Sequence, residues 1–153
     1  TNDPTAAIKC GIIDDCLYLD ELFYRTQMLS RDIINELKQH DLDVMSESAD
    51  PRLIQEIANA GINIYPVDKF QGSIMAGITK MLEYKIKVTR RSVNLIKEFK
   101  NYTYLQDKDG KWLNKPIDAY NHGIDAVRYY ILGKILGRVI VTKQYSKEDL
   151  GIF

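Results

Sequence analysis

At 153 residues, with 45% hydrophobic and 27% charged residues, the chain suits one domain with a core of its own. Its net charge is zero, no run is long and apolar enough to cross a membrane, and no signal peptide leads it, so no membrane role is expected. Cys10 and Cys16 lack metal-type spacing and a nearby base pattern, which sets thiol catalysis aside and points to a reduced setting with both as small core residues. The opening Thr1-Asn2-Asp3-Pro4 has no Met and reads as the inside of a turn, so a piece of a longer protein is expected.

In chain order, Thr5 to Ile13 alternates, with Ala6, Ile8, Cys10 and Ile12 on one side, and predicts a strand. Asp14-Asp15 is a tight turn. Cys16 to Arg25 is a second strand, and its phase slips at Asp20-Glu21, where a bulge is expected. The two read as an antiparallel hairpin. Ser30 is placed as the cap of a helix to about His40, with Ile33, Ile34 and Leu37 inward. A short strand at Leu42 to Ser46, a helix opened by Pro51 and closed by Gly61, and a strand at Ile62 to Pro66 follow. That alternation implies parallel pairing through right-handed crossovers.

Ser73 starts the next helix, through Ile74, Ile78 and Leu82, and Gly77 within it marks a close approach by another group. Ile86 to Thr89 reads as a short strand. Ser92 caps a helix with Val93, Ile96 and Phe99 inward, and Tyr102 to Trp112 is a hairpin over Asp107-Lys108-Asp109-Gly110. Asn121 is placed as the cap of a last helix, with Ile124, Val127, Ile131 and Ile135 as its apolar stripe and Gly137 as its end. A strand at Val139 to Thr142 is expected in the tail. Zero net charge hides an asymmetry: Thr1 to Ala60 holds 12 acids and 5 bases, leaving −7 there and +7 in the remainder. The basic residues gather at Lys80, Lys85, Lys87, Arg90, Arg91, Lys97 and Lys100, a segment able to follow a phosphate backbone or simply to solvate a surface.

Chemistry concentrates at two acids. Asp125 lies on an apolar helix, where a carboxylate is costly unless it is paired, hydrogen-bonded or bound to metal. His122, three residues earlier, shares its face. Two readings stand: an ion pair from Asp125 to Arg128 with His122 at the surface, or a metal ligand with a histidine beside it. Glu47 follows the strand at Leu42 to Ser46, at the carboxyl end where parallel sheets form sites; the plain alternative is a loop acid near a helix start. Together Glu47 and Asp125 would suit Mg²⁺ or Mn²⁺, hard cations that take oxygen ligands. Two such ions about 4 Å apart serve phosphodiester cleavage. Asp118 reads as a turn residue or a supporting acid. Tyr102, Tyr104 and Trp112 read as core caps or as stacking surfaces for bases.

The run Asn121-His122-Gly123-Ile124-Asp125-Ala126-Val127-Arg128-Tyr129, after Pro116-Ile117-Asp118, resembles the end of the nuclease domain of tailed-phage terminase large subunits. Glu47-Ser48-Ala49-Asp50-Pro51 is similar to that family's Asp-Ser-Ala-Glu-Pro, with the two acid types exchanged, and Phe70-Gln71-Gly72-Ser73-Ile74 with Gly77-Ile78 matches its middle helix. The resemblance implies an α/β, RNase H-like mixed sheet flanked by helices, formed by a single domain over residues 1–153. Its acids would come from the first strand, the fourth strand and a late helix. It implies a metal-dependent endonuclease cutting concatemeric double-stranded phage DNA during genome packaging. Glu47 and Asp125 would hold the metals, His122 would serve as ligand or proton carrier, and Lys80, Lys85, Lys87, Arg90 and Arg91 would contact phosphates. The implied partners are double-stranded DNA, a portal protein, a terminase small subunit and an ATPase domain upstream in the same chain, in the cytoplasm of a bacterial host.

One departure matters. The family's first-strand acid lies in a Gly-x-Asp-x-Gly stretch just before an Asn-Asp-Pro-Thr-Ala turn, and this sequence starts inside that turn, so a truncated first strand and a sheet edge in need of cover are expected. Two other readings follow: an RNase H-like domain, impaired in catalysis, that docks DNA or the portal, and a nuclease of the junction-resolvase type.

Overall fold

The computed structural model describes residues 2–140. The elements are β1 (Thr5–Ile13), β2 (Cys16–Arg25), α1 (Ser30–Leu37), β3 (Val44–Ser46), α2 (Pro51–Asn59), β4 (Ile64–Pro66), α3 (Ser73–Met81), β5 (Lys85–Val88), α4 (Val93–Asn101), β6 (Tyr104–Gln106), β7 (Trp112–Pro116) and α5 (His122–Tyr130). A π-helical turn, Ile131–Ile135, prolongs α5. The predicted order holds throughout. The tail strand is met only as an antiparallel bridge from Val139 to Val67, and its end at Thr142 lies outside the described residues.

β1 and β2 pair antiparallel from Thr5 opposite Arg25 to Ile13 opposite Cys16. Ala7 faces Phe23 and Ile8 faces Glu21, so the bulge falls on Leu22, one residue past the expected slip. β5 adds parallel on the outer edge of β2, with Cys16 opposite Lys85 and Leu19 opposite Val88. β3 and β4 pair parallel, as the strand–helix alternation requires, but as a separate two-stranded sheet. The predicted single mixed sheet is thus divided. Among the described residues β1 has β2 as its one partner and β3 has β4, and their other edges both line a cleft of about 630 Å³.

Three apolar clusters hold the layers. Leu17 and Leu19 of β2 pack on Met81, Leu95, Ile124, Val127 and Ile131, which are all buried. Phe23 packs on Ile33, Leu37 and Ile57, and Val67 packs on Tyr129 and Leu132. Each fully buried side chain of this size contributes roughly 1.5–3 kcal/mol, against about 0–1 for a surface ion pair, so apolar packing rather than charge fixes where α5 lies.

Several local expectations are corrected. Ser30 is the first helical residue of α1, and the amide of Leu29 donates to Asp32 Oδ2 at 2.9 Å. In α3 the buried face is Ser73, Gly77 and Met81, while Ile74 and Leu82 face outward. In α4 it is Ser92, Leu95 and Glu98, with Val93 exposed. A hydrophobic count misplaces Ile74, Leu82 and Val93, though Phe99 does pack on the core as expected, because the true stripe includes small and charged residues. Asn121 does sit at the start of α5, but its amide nitrogen donates to Asp118 Oδ1 at 3.1 Å and caps nothing.

Candidate metal centre

The cleft between β1 and β3 is walled by α1 and α2 on one side and by α5 on the other, and Glu47, His122 and Asp125 all line it. Glu47 leaves β3 at its carboxyl end and folds back on its own chain, accepting from the amide of Ala49 at 2.8 Å. Tyr129 Oη donates to Glu47 Oε2 at 2.8 Å, and Lys69 Nζ stands 2.5 Å from Oε1. Burial pushes the Glu47 carboxyl up, but the Lys69, Tyr129 and Ala49 donors together outweigh it and hold it below its ordinary value.

Tyr129 lies one helical turn beyond Asp125, on the same face. Its hydroxyl is pushed well above the usual phenol range, first by burial, then by the charge of Asp125 and by the bond to Glu47. One phenol therefore feels both carboxylates. Asp125 accepts from Arg128 Nη2 at 3.2 Å, the ion pair that the spacing predicts. Its carboxyl is raised by burial, an effect that Arg128 and His122 reduce and Glu98 increases. The His122 ring meets the edge of Tyr24 at a centroid distance of 6.3 Å.

Arg128 is itself buried, with its guanidinium 5.0 Å from the Tyr129 ring and its Nε without a partner among the described residues. It reaches this position because α3 carries Gly77: a Cβ there would overlap Arg128 Cγ. The close approach that Gly77 predicts is thus by the side chain that orients Asp125. Ser46 Oγ, at the end of β3 beside Glu47, is also buried without a partner. The donor types, carboxylate oxygens with one imidazole, fit a hard divalent cation. Their number falls short: among the described residues no three His, Cys, Asp or Glu side chains converge as a ligand set.

The basic residues divide. Lys80 pairs with Glu83 at 2.5 Å, Lys85 with Asp15 at 3.4 Å and Arg91 with Asp20 at 2.5 Å, while Lys87 and Arg90 form no ion pair among the described residues. Lys85 faces Cys16 at the hairpin-turn end of β2. Tyr24, beside His122, is eight residues along the same strand, a distance of about 26 Å. Asp118 serves the turn before α5, and Tyr104 and Trp112 are exposed on the β6–β7 hairpin while Tyr102 packs on the core. Cys10 is half-buried, its thiol pushed up to about 12 by burial, which leaves it inert as a nucleophile.

Sequence reasoning missed Lys69, Tyr24, Tyr129 and Glu98. Tyr129 had a legible signal, its four-residue spacing from Asp125. Lys69 follows β4 at the carboxyl end of a parallel strand, the same kind of position that singles out Glu47. Glu98 had none, because its partners lie on other elements.

The chain is 27% identical over 118 residues to the PBSX phage terminase large subunit of Bacillus subtilis (strain 168) and 32% identical over 117 residues to the terminase large subunit of Bacillus phage SPP1. These stretches cover 74% and 72% of the chain, and 27% and 28% of the relatives. The chain thus spans about a quarter of their length. Among solved structures, the SPP1 large terminase nuclease domain with bound Mn superposes with a TM-score of 0.78 at 24% identity, over 86% of this chain and 79% of that one. The P22 large terminase nuclease domain gives 0.61 at 19%, over 90% and 77%. Both show a shared fold, and the family described as "Terminase RNAseH like domain" matches residues 1–132. The chain belongs to the terminase RNase H-like domain family.

Proposed function

We propose that this chain is the nuclease domain of a phage or prophage terminase large subunit, a metal-dependent endonuclease that cuts double-stranded DNA during genome packaging. The observation that carries this reading is that Glu47, His122 and Asp125 line one cleft and that Tyr129, one turn beyond Asp125 on α5, donates to Glu47. Glu47 and Asp125 would hold Mg²⁺ or Mn²⁺, with His122 as a further ligand or proton carrier. A relative of the same fold was solved with Mn and another, the nuclease of phage G20c, with cobalt. When bound, such a cation supplies Lewis acidity that eases loss of a proton from water and offsets charge at a scissile phosphate.

The residues of this chain prepare that chemistry. Arg128 keeps the Asp125 carboxylate aimed, and Gly77 keeps Arg128 in place. The Lys69 ammonium balances Glu47 and would give way as a divalent ion enters. The donor still wanting fits the cleft: a strand lying between β1 and β3 would pair with the two edges that have no partner strand among the described residues and bring an acid beside Glu47, as the family resemblance implies. Lys87 and Arg90, unpaired among the described residues, are the best placed of the basic segment to meet phosphates. An ATPase domain in the same chain, a portal protein and a terminase small subunit complete the proposed assembly, in the cytoplasm of the bacterial host.

A specific observation favours a second reading for the chain by itself. With no three-donor set among the described residues and Lys69 already on Glu47, it would dock DNA or the portal without cutting. Plasmid nicking in Mn²⁺ separates the two, using the chain extended upstream of Thr1 and its Asp125→Ala variant. Nicking by the first and not the second is expected. Equal nicking by both would remove Asp125 from catalysis, and preference for branched DNA would move the reading to a junction-resolving nuclease.

A further inference from the structure

We propose that Glu98 is the positioning residue of this site: it sets the first turn of α5 and thereby aims His122 and Asp125 at Glu47. This rests on the reading that Asp125 and Glu47 hold a divalent cation.

Glu98 is the most deeply buried carboxylate described, 2% exposed. Its partners are neutral donors. Tyr24 Oη donates to Oε2 at 2.5 Å, Gly123 N to Oε2 at 3.1 Å and Ile124 N to Oε1 at 2.9 Å. Among the described residues no lysine or arginine pairs with it, and it is held by a phenol and by the amide-rich start of α5. That is an expensive way to cap a helix. Asn121 occupies the cap position and its type would do the work locally, yet its side chain is turned to Asp118.

The costlier arrangement gives something a local cap does not. It ties the turn carrying His122 to two other elements, β2 through Tyr24 and α4 through Glu98. Gly123 lets α4 come this close, since a Cβ there would stand 3.0 Å from Leu95 Cδ1 and 3.3 Å from Glu98 Oε1. Tyr24 closes the arrangement by touching Glu98 with its hydroxyl and the His122 ring with its edge. α4 is anchored in turn: Glu21 of β2 accepts from Leu95 N and Asn94 Nδ2, each at 2.9 Å. The backbone of α5 is therefore registered to the sheet through a chain of carboxylates, and His122 and Asp125 inherit that register.

The test compares the unsubstituted chain with Glu98→Gln, Tyr24→Phe and, as a packing control, Ile34→Ala, whose side chain packs on the cluster under α1 and α2 and does not line the cleft. Amide exchange at Gly123 and Ile124 is followed without metal, and Mn²⁺ affinity is measured by calorimetry. Glu98→Gln is expected to speed exchange at both amides and to weaken Mn²⁺ binding by about tenfold or more, the scale seen when the groups that orient metal ligands are removed. Tyr24→Phe should do the same to a smaller degree, and Ile34→Ala should lower the melting temperature with Mn²⁺ affinity unchanged. Faster exchange with unchanged Mn²⁺ affinity would make Glu98 an ordinary structural cap and overturn the proposal. Failure of the unsubstituted chain to bind Mn²⁺, with exchange still slow at Gly123 and Ile124, would instead sink the metal reading and this assignment with it.

Discussion

The two carboxylates at the cleft are prepared in opposite senses. Glu47 is held below its ordinary value because three donors outweigh its burial, whereas Asp125 is raised because burial outweighs Arg128. The signs for stability follow from which state binds more protons. Between its lowered folded value and its unfolded value Glu47 adds stability as pH rises, and that contribution is lost as pH falls through the folded value. Asp125 does the reverse: the folded chain keeps its proton to higher pH, so stability present below the unfolded value is lost as pH rises through the folded one. At neutral pH the ionised Asp125 carboxylate therefore costs the fold stability, and a cation beside it would relieve that cost. Asp125→Asn should therefore gain stability relative to the unsubstituted chain as pH rises above the ordinary carboxylate range, while an amide oxygen still accepts from Arg128. Urea unfolding of both proteins across pH 4 to 8 checks this, and a stability difference that does not vary with pH would show that burial does not hold the Asp125 carboxyl up.

At the scale of elements, helix starts in this fold are held from outside. α2 follows the sequence rule, with Asp50 accepting from Leu53 N at 3.1 Å and Pro51 opening the first turn. α4 and α5 do not. Ser92 accepts from Glu21 N at 2.8 Å instead of capping its own helix, and Glu21 and Glu98 supply the caps from β2 and α4. Glu21→Ala should cost about 1–3 kcal/mol, because it strands a helix amide and an Asn side chain. Asn121→Ala, at the nominal cap of α5, should stay within about 0.5 kcal/mol, as an exposed position does. Equilibrium urea unfolding at neutral pH gives both numbers, and the opposite order would restore the local rule. The same fact marks what the sequence makes legible. Strand order, the Pro51 and Gly61 boundaries and the Asp125–Arg128 pair follow from spacing alone. Glu98 is unreadable because its three donors are 74, 25 and 26 positions away. The stripes of α3 and α4 mislead because Gly77 and Glu98 stand where a hydrophobic count looks for Ile or Val.

For the whole molecule, the divided sheet makes a specific demand. No residue of β1 is fully buried, although β1 lies against α5. Strand edges left open in the interior of a domain carry amides and carbonyls that need partners, and the cleft offers them to water or to another strand. Its floor of Phe23, Ile33, Leu37 and Ile57 is apolar, and its end carries Glu47, His122 and Asp125, so the strand that suits it is apolar along its length with an acid at one end. Half of the β1 amides, those turned away from β2, should therefore exchange fast in the chain alone while their alternating neighbours exchange slowly. In a chain extended upstream of Thr1 the fast set should slow by several orders of magnitude, and the amide of Met45, which points away from β4 while that of Val44 already donates to Asn63 O, should slow with them. Hydrogen exchange read residue by residue decides the matter. Protection already uniform along β1 in the unextended chain would mean that the cleft closes in solution. An extension that leaves the fast amides fast would mean that the acid proposed to join Glu47 and Asp125 does not arrive on a strand in this cleft.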